Sequence, residues 1–256
     1  MKLIVLRYGI IIVMEKIYIA NKPAGMTSKD FADQVKNNNN LKKICYCGRL
    51  DPMARGKMLF LGDEYCKLMP QKNKNDKTYQ FEICLGVQTD SDDPLGKLVN
   101  YQKDFDRIEI QNKLINILNK YNNKEFKQNF HRYSSICIDG KPYWLLTKEN
   151  QKVNEIPNHL VNIYSIKLVG IFETVFDNFV KNIIKTIDKL DRKHDFRQDD
   201  IIDQWERFVL PYERTISSLK VEMKVSSGFY VRQFVQDLSN EINFPLMVYD
   251  INRILI

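Results

Sequence analysis

The chain is poor in metal-binding residues, with three histidines (His131, His159, His194) and five cysteines (Cys45, Cys47, Cys66, Cys84, Cys137). The histidines are scattered, and Cys45 and Cys47 have no second close pair, so neither a four-ligand zinc site nor a disulfide framework follows from the spacing. No metal is expected. A reducing compartment inside the cell, the cytoplasm first, is the expected setting. Nor is there a run long enough to cross a bilayer, which takes about 20 apolar residues. The apolar stretch from Leu3 to Met14 is too short, is broken by Gly9, carries Arg7 and is followed by no small-residue cleavage site. It reads as a buried strand or an N-terminal extension, and Met14 offers an alternative start. No internal repeat is present.

What is there is enough for a folded core. The chain has 256 residues, 44% of them hydrophobic and 11% aromatic, which excludes a disordered or fibrous protein. A net charge of +7 and a pI near 9.0 favour an anionic partner, nucleic acid ahead of an acidic membrane surface.

Periodicity supplies the elements. Ile17 to Ala20 is a short apolar strand, and the turn Asn21 to Ser28 ends in Thr27 or Ser28 as the cap of a helix running to Val35. Thr78 to Leu85 alternates like a half-buried strand, with Tyr79, Phe81, Ile83 and Leu85 on one face and Cys84 on the other. Phe105 to Leu118 has helical spacing, with Ile108, Leu114, Ile115 and Leu118 apolar. Tyr133 to Ile138, Val161 to Val169 and Leu219 to Val225 are expected strands. Two amphipathic helices, around Phe176 to Leu190 and Ile201 to Val209, form an insertion between strands, and Tyr230 to Glu241 is a final helix. Strands interrupted by helices predict an α/β (α+β) chain built on one large mixed sheet.

The stretch Cys47 to Gly62 holds Asp51 between Gly48-Arg49-Leu50 and Pro52, then turns apolar from Met58 to Leu61. An Asp-Pro pair belongs at the mouth of a loop feeding a buried element, and by itself such an Asp is a routine solvated turn former.

Six motifs alter that reading: Lys22 to Ser28 (KPAGMTS), Gly48 to Gly56, Lys77-Thr78-Tyr79, Thr89 to Asp93 with Gly96, Tyr133-Ser134-Ser135 with Gly140-Lys141, and Ser227 to Arg232 (SGFYVR). In this order they resemble the TruB type of pseudouridine synthase over about Ile17 to Ile256. The resemblance implies the pseudouridine synthase fold, a mixed and mostly antiparallel sheet with the active-site cleft across it. It also implies one catalytic domain over 1–256, with an N-terminal extension 1–16, a helical insertion 172–215 and no C-terminal PUA domain. The activity implied is isomerisation of the T-loop uridine of tRNA, uridine 55, with no cofactor.

Asp51 is then the nucleophile, Tyr79 the ring on which the everted base stacks, and Arg232 the cation that holds Asp51. Taken alone, Arg232 reads as a solvated helix arginine, although no acid lies three or four positions from it; Tyr79 reads as a core tyrosine. Tyr46, Arg49, Asp93, Tyr133 and Lys141 are the implied RNA-binding or supporting residues; as one of three loop aspartates, Asp93 reads equally well as solvated. Tyr46 replaces the family's histidine, which leaves an aromatic face without a titratable imidazole, and Cys137 replaces a lysine. Arg49 is similar to the Gly-Arg-Leu-Asp motif of ribosomal-RNA synthases. The partner implied is the tRNA T-arm, bound by a monomer away from any membrane, and the basic patch Lys189 to Arg197 of the insertion is expected to help grip it. Synthesis on ribosomal or messenger RNA, and an RNA-folding factor without the chemistry, are the alternatives.

Overall fold

A computed structural model describes residues 2–6, 9–14, 16–208 and 215–256. In chain order the first elements are β1 (Lys2–Leu6), β2 (Gly9–Met14), β3 (Ile17–Lys22), α1 (Ser28–Asn38), β4 (Ile44–Cys47), β5 (Arg55–Gly62), α2 (Met69–Lys72), β6 (Lys77–Leu85), β7 (Val87–Thr89) and β8 (Leu98–Tyr101). There follow α3 (Arg107–Tyr121), β9 (Lys124–Asn129), β10 (Cys137–Ile138), β11 (Lys141–Pro142), α4 (Tyr143–Lys148), β12 (Asn158–Val175), α5 (Phe176–Ile187), α6 (Gln198–Arg207), β13 (Thr215–Val225), α7 (Val231–Ile242) and β14 (Leu246–Leu255).

The main sheet runs β1-β2-β3-β5-β14-β6-β13-β12-β9, with β4 also paired to β5. Its one parallel pairing among the described residues joins β14 to β5, so the expected mixed, mostly antiparallel sheet is what forms. That contact is tight: Gly56 has φ +115°, and a Cβ there would lie 2.4 Å from the Arg253 carbonyl oxygen. Only glycine lets β5 leave the Asp51 loop so close to β14.

One face of the sheet buries Phe60, Phe81, Ile83 and Val221 against Phe31 of α1, Leu114 of α3 and Phe234 and Leu238 of α7. The other face is not open along the whole of β6. Cys84 and Met247 are fully buried beneath Phe179, Ile183 and Trp205 of α5 and α6. The half-buried strand expected at Thr78 to Leu85 is therefore covered on both faces near its Leu85 end, because the two insertion helices supply a second apolar layer.

Two further expectations are corrected, and the inner face of α3 is defined. Tyr133 to Ile138 is mainly loop, with only Cys137–Ile138 paired as strand; Ser134 N–H donates to His131 O and Trp144 N–H to Ser134 O, so its polar backbone is used locally. Ile108 is 69% exposed, and Ile110, Leu114, Ile117 and Leu118 form the buried stripe of α3. β12 extends to Val175, paired with Thr215, so the helical insertion leaves the sheet at the end of a β12–β13 hairpin. Residues 1, 7, 8 and 15 of the expected extension lie outside the described residues. So do 209–214 of the expected insertion, including Val209 at the end of its second helix.

Candidate active site

The Asp51 loop is fixed from three directions before its carboxylate does anything. Ser28, at the start of α1, donates its hydroxyl to Leu50 O (2.7 Å) and accepts from Leu50 N–H (2.9 Å). Thr27 takes the capping role, accepting from Asp30 N–H. The buried Lys22 ammonium at the end of β3 donates to Pro23 O (2.8 Å), Met26 O (2.6 Å) and, at 3.4 Å, Pro52 O, which also accepts from Gly25 N–H (2.9 Å). Burial, helped by Arg253, pulls Lys22 down to about 7 against the opposing pull of Asp51. From β14, buried Arg253 donates to Lys57 O (2.7 Å) and Gly48 O (3.0 Å). The contacts to Leu50, Pro52 and Gly48 are to loop backbone and come from groups 22, 30 and 205 positions away, so the loop's shape is set largely by residues remote in sequence.

Arg232, in the first turn of α7, meets this loop. Its Nε donates to Asp51 Oδ2 (2.9 Å) and its Nη2 to Asp51 Oδ1 (2.7 Å), a planar two-bond fork. Nη1 donates to Ser91 O (3.2 Å) and lies 3.6 Å from Asp93 Oδ2. The guanidinium is 6% exposed and Asp51 31%. Burial works against the Arg232 charge, but Asp51 and Asp93 outweigh it and raise its pKa. Opposite charges about 4 Å apart attract by about 4 kcal/mol at an effective dielectric near 20. The pair therefore presents a compensated carboxylate at a partly open position.

Asp93 backs this pair. Its Oδ1 accepts from Ser91 Oγ (2.8 Å) and Leu95 N–H (2.9 Å), and burial pushes its pKa up despite Arg232. Behind it, Asp92 Oδ2 meets His131 Nε2 at 3.0 Å, with both side chains buried. His131 Nδ1 accepts from Tyr133 N–H, which puts the imidazole proton on Nε2. Burial pushes Asp92 up to about 7, against Arg132 and Arg232, and holds His131 well below its usual 6.5.

Tyr230, the residue before α7, was quoted in the sequence only as part of a motif, yet it joins the site. Its half-buried phenol is pushed up first by burial and then by Asp51, and is pulled down by Arg232 and Arg49; Tyr79 on β6 also acts on it. Asp51, Arg232, Arg49 and Tyr79 thus all act electrostatically on this phenol, and Tyr79 itself is 8% exposed, packed in the main core cluster. Arg49 donates to Ser135 Oγ (2.6 Å), which brings the Tyr133 segment alongside. Two expected residues are engaged elsewhere. Tyr46 packs edge-on against Phe60, and Lys141 pairs with Glu149 at 3.3 Å. Lys22, Ser28, Tyr230 and Arg253 are the site residues that sequence reasoning did not assign. The first three lie inside quoted motifs, whereas Arg253 carries no sequence signal.

Among the described residues no three or more His, Cys, Asp or Glu side chains are grouped to hold a metal, and no helix is long and apolar enough to cross a membrane.

Comparison with known proteins gives the family of the chain. The family model for TruB family pseudouridylate synthase (N terminal domain) matches residues 36–183, which include Asp51, Tyr79 and Asp93. The tRNA pseudouridine synthase B of Ureaplasma urealyticum serovar 10 is 31% identical over 230 residues, covering 90% of this chain and 80% of the relative. The enzyme of the same name from Mycoplasma capricolum subsp. capricolum is 28% identical over 240 residues, covering 93% and 67%. Among solved structures, a chain of a Cbf5-Nop10-Gar1 complex superposes with a TM-score of 0.51 at 13% identity, covering 91% of this chain and 46% of that one. That likeness concerns the fold, and this chain spans less than half of the solved one. With more than half of its length matched by the family model, the chain belongs to the TruB family of pseudouridylate synthases.

Proposed function

We propose that the protein isomerises the T-loop uridine of tRNA, uridine 55, to pseudouridine, with Asp51 as nucleophile. The N1–C1′ bond of the nucleotide breaks, the base turns, and a C5–C1′ bond forms; the C5 hydrogen leaves as a proton and N1 gains one, so no redox partner is needed. A carboxylate can attack only as the anion. The observation that carries the reading is the Arg232 fork on Asp51, a buried cation on a carboxylate that is one-third exposed. The names of the relatives, tRNA pseudouridine synthase B, support the substrate class.

Reaching a base in folded RNA requires eversion, at a few kcal/mol of lost stacking. An aromatic platform returns about 1–3 kcal/mol. We assign that role to Tyr79, with Tyr230 beside it. Tyr133 and Arg49 line the approach for RNA, and Asp93 holds Arg232 in register.

The test is tritium release from transcribed tRNA carrying 5-tritiated uridine. Wild type should release the label from the T-loop position and Asp51→Asn should release none. Absence of release from the wild type would overturn the reading, and equal release from both would remove Asp51 from its assigned job.

A further inference from the structure

The basic segment between α5 and α6 is largely neutralised by carboxylates. Arg192 pairs with Asp188 (3.1 Å) and Asp199 (2.7 Å), Lys193 with Asp30 (2.8 Å) and Asp191 (3.0 Å), and His194 meets Asp30 at 2.7 Å. Cations already paired release fewer counterions from RNA and grip it weakly. The start of the segment instead faces the rest of the chain: Gly25 packs so closely on it that a Cβ there would lie 2.8 Å from Lys189 Cβ.

Arg197 is its best-anchored member. Its Nη1 donates to Asp90 Oδ2 (2.6 Å), while Nη2 donates to Asp90 Oδ1 (3.0 Å) and to the Tyr133 hydroxyl (3.2 Å). The guanidinium carbon lies 5.7 Å from the centre of the Tyr133 ring. The Arg197 backbone has φ +61°, a conformation that a side-chain-bearing residue holds only where surrounding contacts enforce it. Locally the Arg197 N–H donates to Asp195 Oδ1 (3.3 Å) and its carbonyl accepts from Ile201 N–H (3.0 Å), while the fork and the phenol hold the side chain.

Two routes lead from it to Asp51. Asp90 adjoins Ser91, whose carbonyl accepts from Arg232, and Arg232 grips Asp51. Tyr133 lies two residues before Ser135, whose hydroxyl accepts from Arg49, itself two residues before Asp51. We infer that Arg197 of the helical insertion is a positioning residue: through Asp90 and Tyr133 it fixes the loop whose Ser91 carbonyl holds Arg232 on Asp51 and the segment whose Ser135 holds Arg49, two residues before Asp51. This role rests on the proposed reaction and deepens it, since it gives the insertion a part in catalysis that does not require touching RNA.

The test compares Arg197→Met, Arg197→Lys and Arg197→Met/Asp90→Asn with wild type, in kcat and KM on transcribed tRNA, with Asp200→Asn at an exposed ion pair of the insertion as control. Arg197→Met should lower kcat about 10- to 100-fold, the scale of a displaced catalytic group, with KM within about threefold. Arg197→Lys should recover part of the loss, because an ammonium keeps the charge and loses the fork. The double variant should be no slower than Arg197→Met, since the two residues act as one unit.

A raised KM with unchanged kcat would make Arg197 an RNA contact and overturn the inference. So would unchanged kcat, or a kcat loss equal to the loss of folded protein by circular dichroism. A second readout does not depend on turnover: in protein labelled with 3-fluorotyrosine, with the Tyr133 resonance assigned by Tyr133→Phe, Arg197→Met should shift that resonance. A resonance that Arg197→Met shifts, in a protein whose wild type releases no tritium, would defeat the proposed reaction but not the Arg197–Tyr133 coupling; an active enzyme whose resonance and kcat ignore Arg197→Met would do the reverse.

Discussion

Arg232 and Asp51 stand 181 positions apart and meet in a planar fork, 2.9 and 2.7 Å long. The same guanidinium lies 3.6 Å from Asp93, so one buried cation serves two acids of unequal exposure, 31% for Asp51 and 5% for Asp93. The exposed acid is free to act on a substrate while the buried one keeps the arginine in place. This asymmetry separates stability from activity.

Replacing Arg232 by Met should therefore cost about 3–5 kcal/mol, because Asp93 would be left buried without its cation. Asp51→Asn should cost about 1–2 kcal/mol, since the amide keeps an acceptor and Asp93 still balances Arg232. Urea unfolding of both variants checks the order, and neither should release tritium. Arg232→Lys should fold nearly as well as wild type yet lose at least about 100-fold in kcat, because an ammonium cannot reproduce the fork.

Ser28 offers a test of how far the loop frame matters. Its hydroxyl satisfies both the N–H and the C=O of Leu50, the residue before Asp51, and is itself buried. Ser28→Ala leaves two backbone groups unpaired, at about 1–3 kcal/mol in stability. The kcat should fall with it while KM changes little, because the displaced group is the carboxylate rather than an RNA contact. Thermal unfolding and steady-state kinetics on one preparation measure both.

Much of this site was legible in the sequence because its side chains sit in short local motifs. Asp51, Tyr79, Asp93 and Arg232 each stand in one; Asp51 and Asp93 meet at the Arg232 guanidinium, while Tyr79 lies in the main core cluster at 8% exposure. The frame was less legible. Arg253 holds Gly48 O from 205 positions away, a contact that no local pattern encodes. β9 was missed because KEFKQN has no apolar alternation; it forms because β12 offers it a partner over Asn158 to Ile163. Tyr133 to Ile138 misled in the other direction, since its residue types suit a strand while its backbone bonds close on nearby turns. The insertion's basic run was readable as charge, but its pairing with Asp30 and Asp90 depends on how the helices dock.

Asp30 makes that docking measurable by pH. Burial would raise its carboxyl, but hydrogen bonds from Lys193, Thr27 and His194 outweigh burial and bring it down to about 2 from its ordinary 3.8. A depressed carboxylate stabilises the fold above its unfolded pKa and loses that contribution as the pH falls toward the folded one. The shift is worth on the order of 2 kcal/mol, trimmed to about 1 kcal/mol by the exposure of Lys193. Asp30→Asn should be less stable than wild type at pH 7 by about that amount, and the difference should shrink as the pH falls from about 4 toward 2. A constant difference across this range in urea midpoints would show that the pairing contributes nothing.

Asp92 and His131 give opposite pH slopes from a single buried contact. Between about pH 4 and 7 the folded chain keeps a proton on Asp92 that the unfolded chain has released, so this group's contribution falls as pH rises through that window. His131 is held neutral when folded, whereas the unfolded chain takes up a proton below about 6.5, so its contribution falls as the pH drops. In wild type the two slopes oppose each other. Asp92→Asn removes the first and keeps the acceptor for His131 Nε2–H, so only the second remains. The variant should gain on wild type above pH 7, where Asp92 would otherwise carry a charge with one oxygen, Oδ1, buried and without a hydrogen-bond partner. Below pH 6 its stability should fall more steeply than that of wild type. Urea midpoints at pH 5, 6.5 and 8 decide it, and parallel curves for the two proteins would mean that Asp92 is ionised throughout.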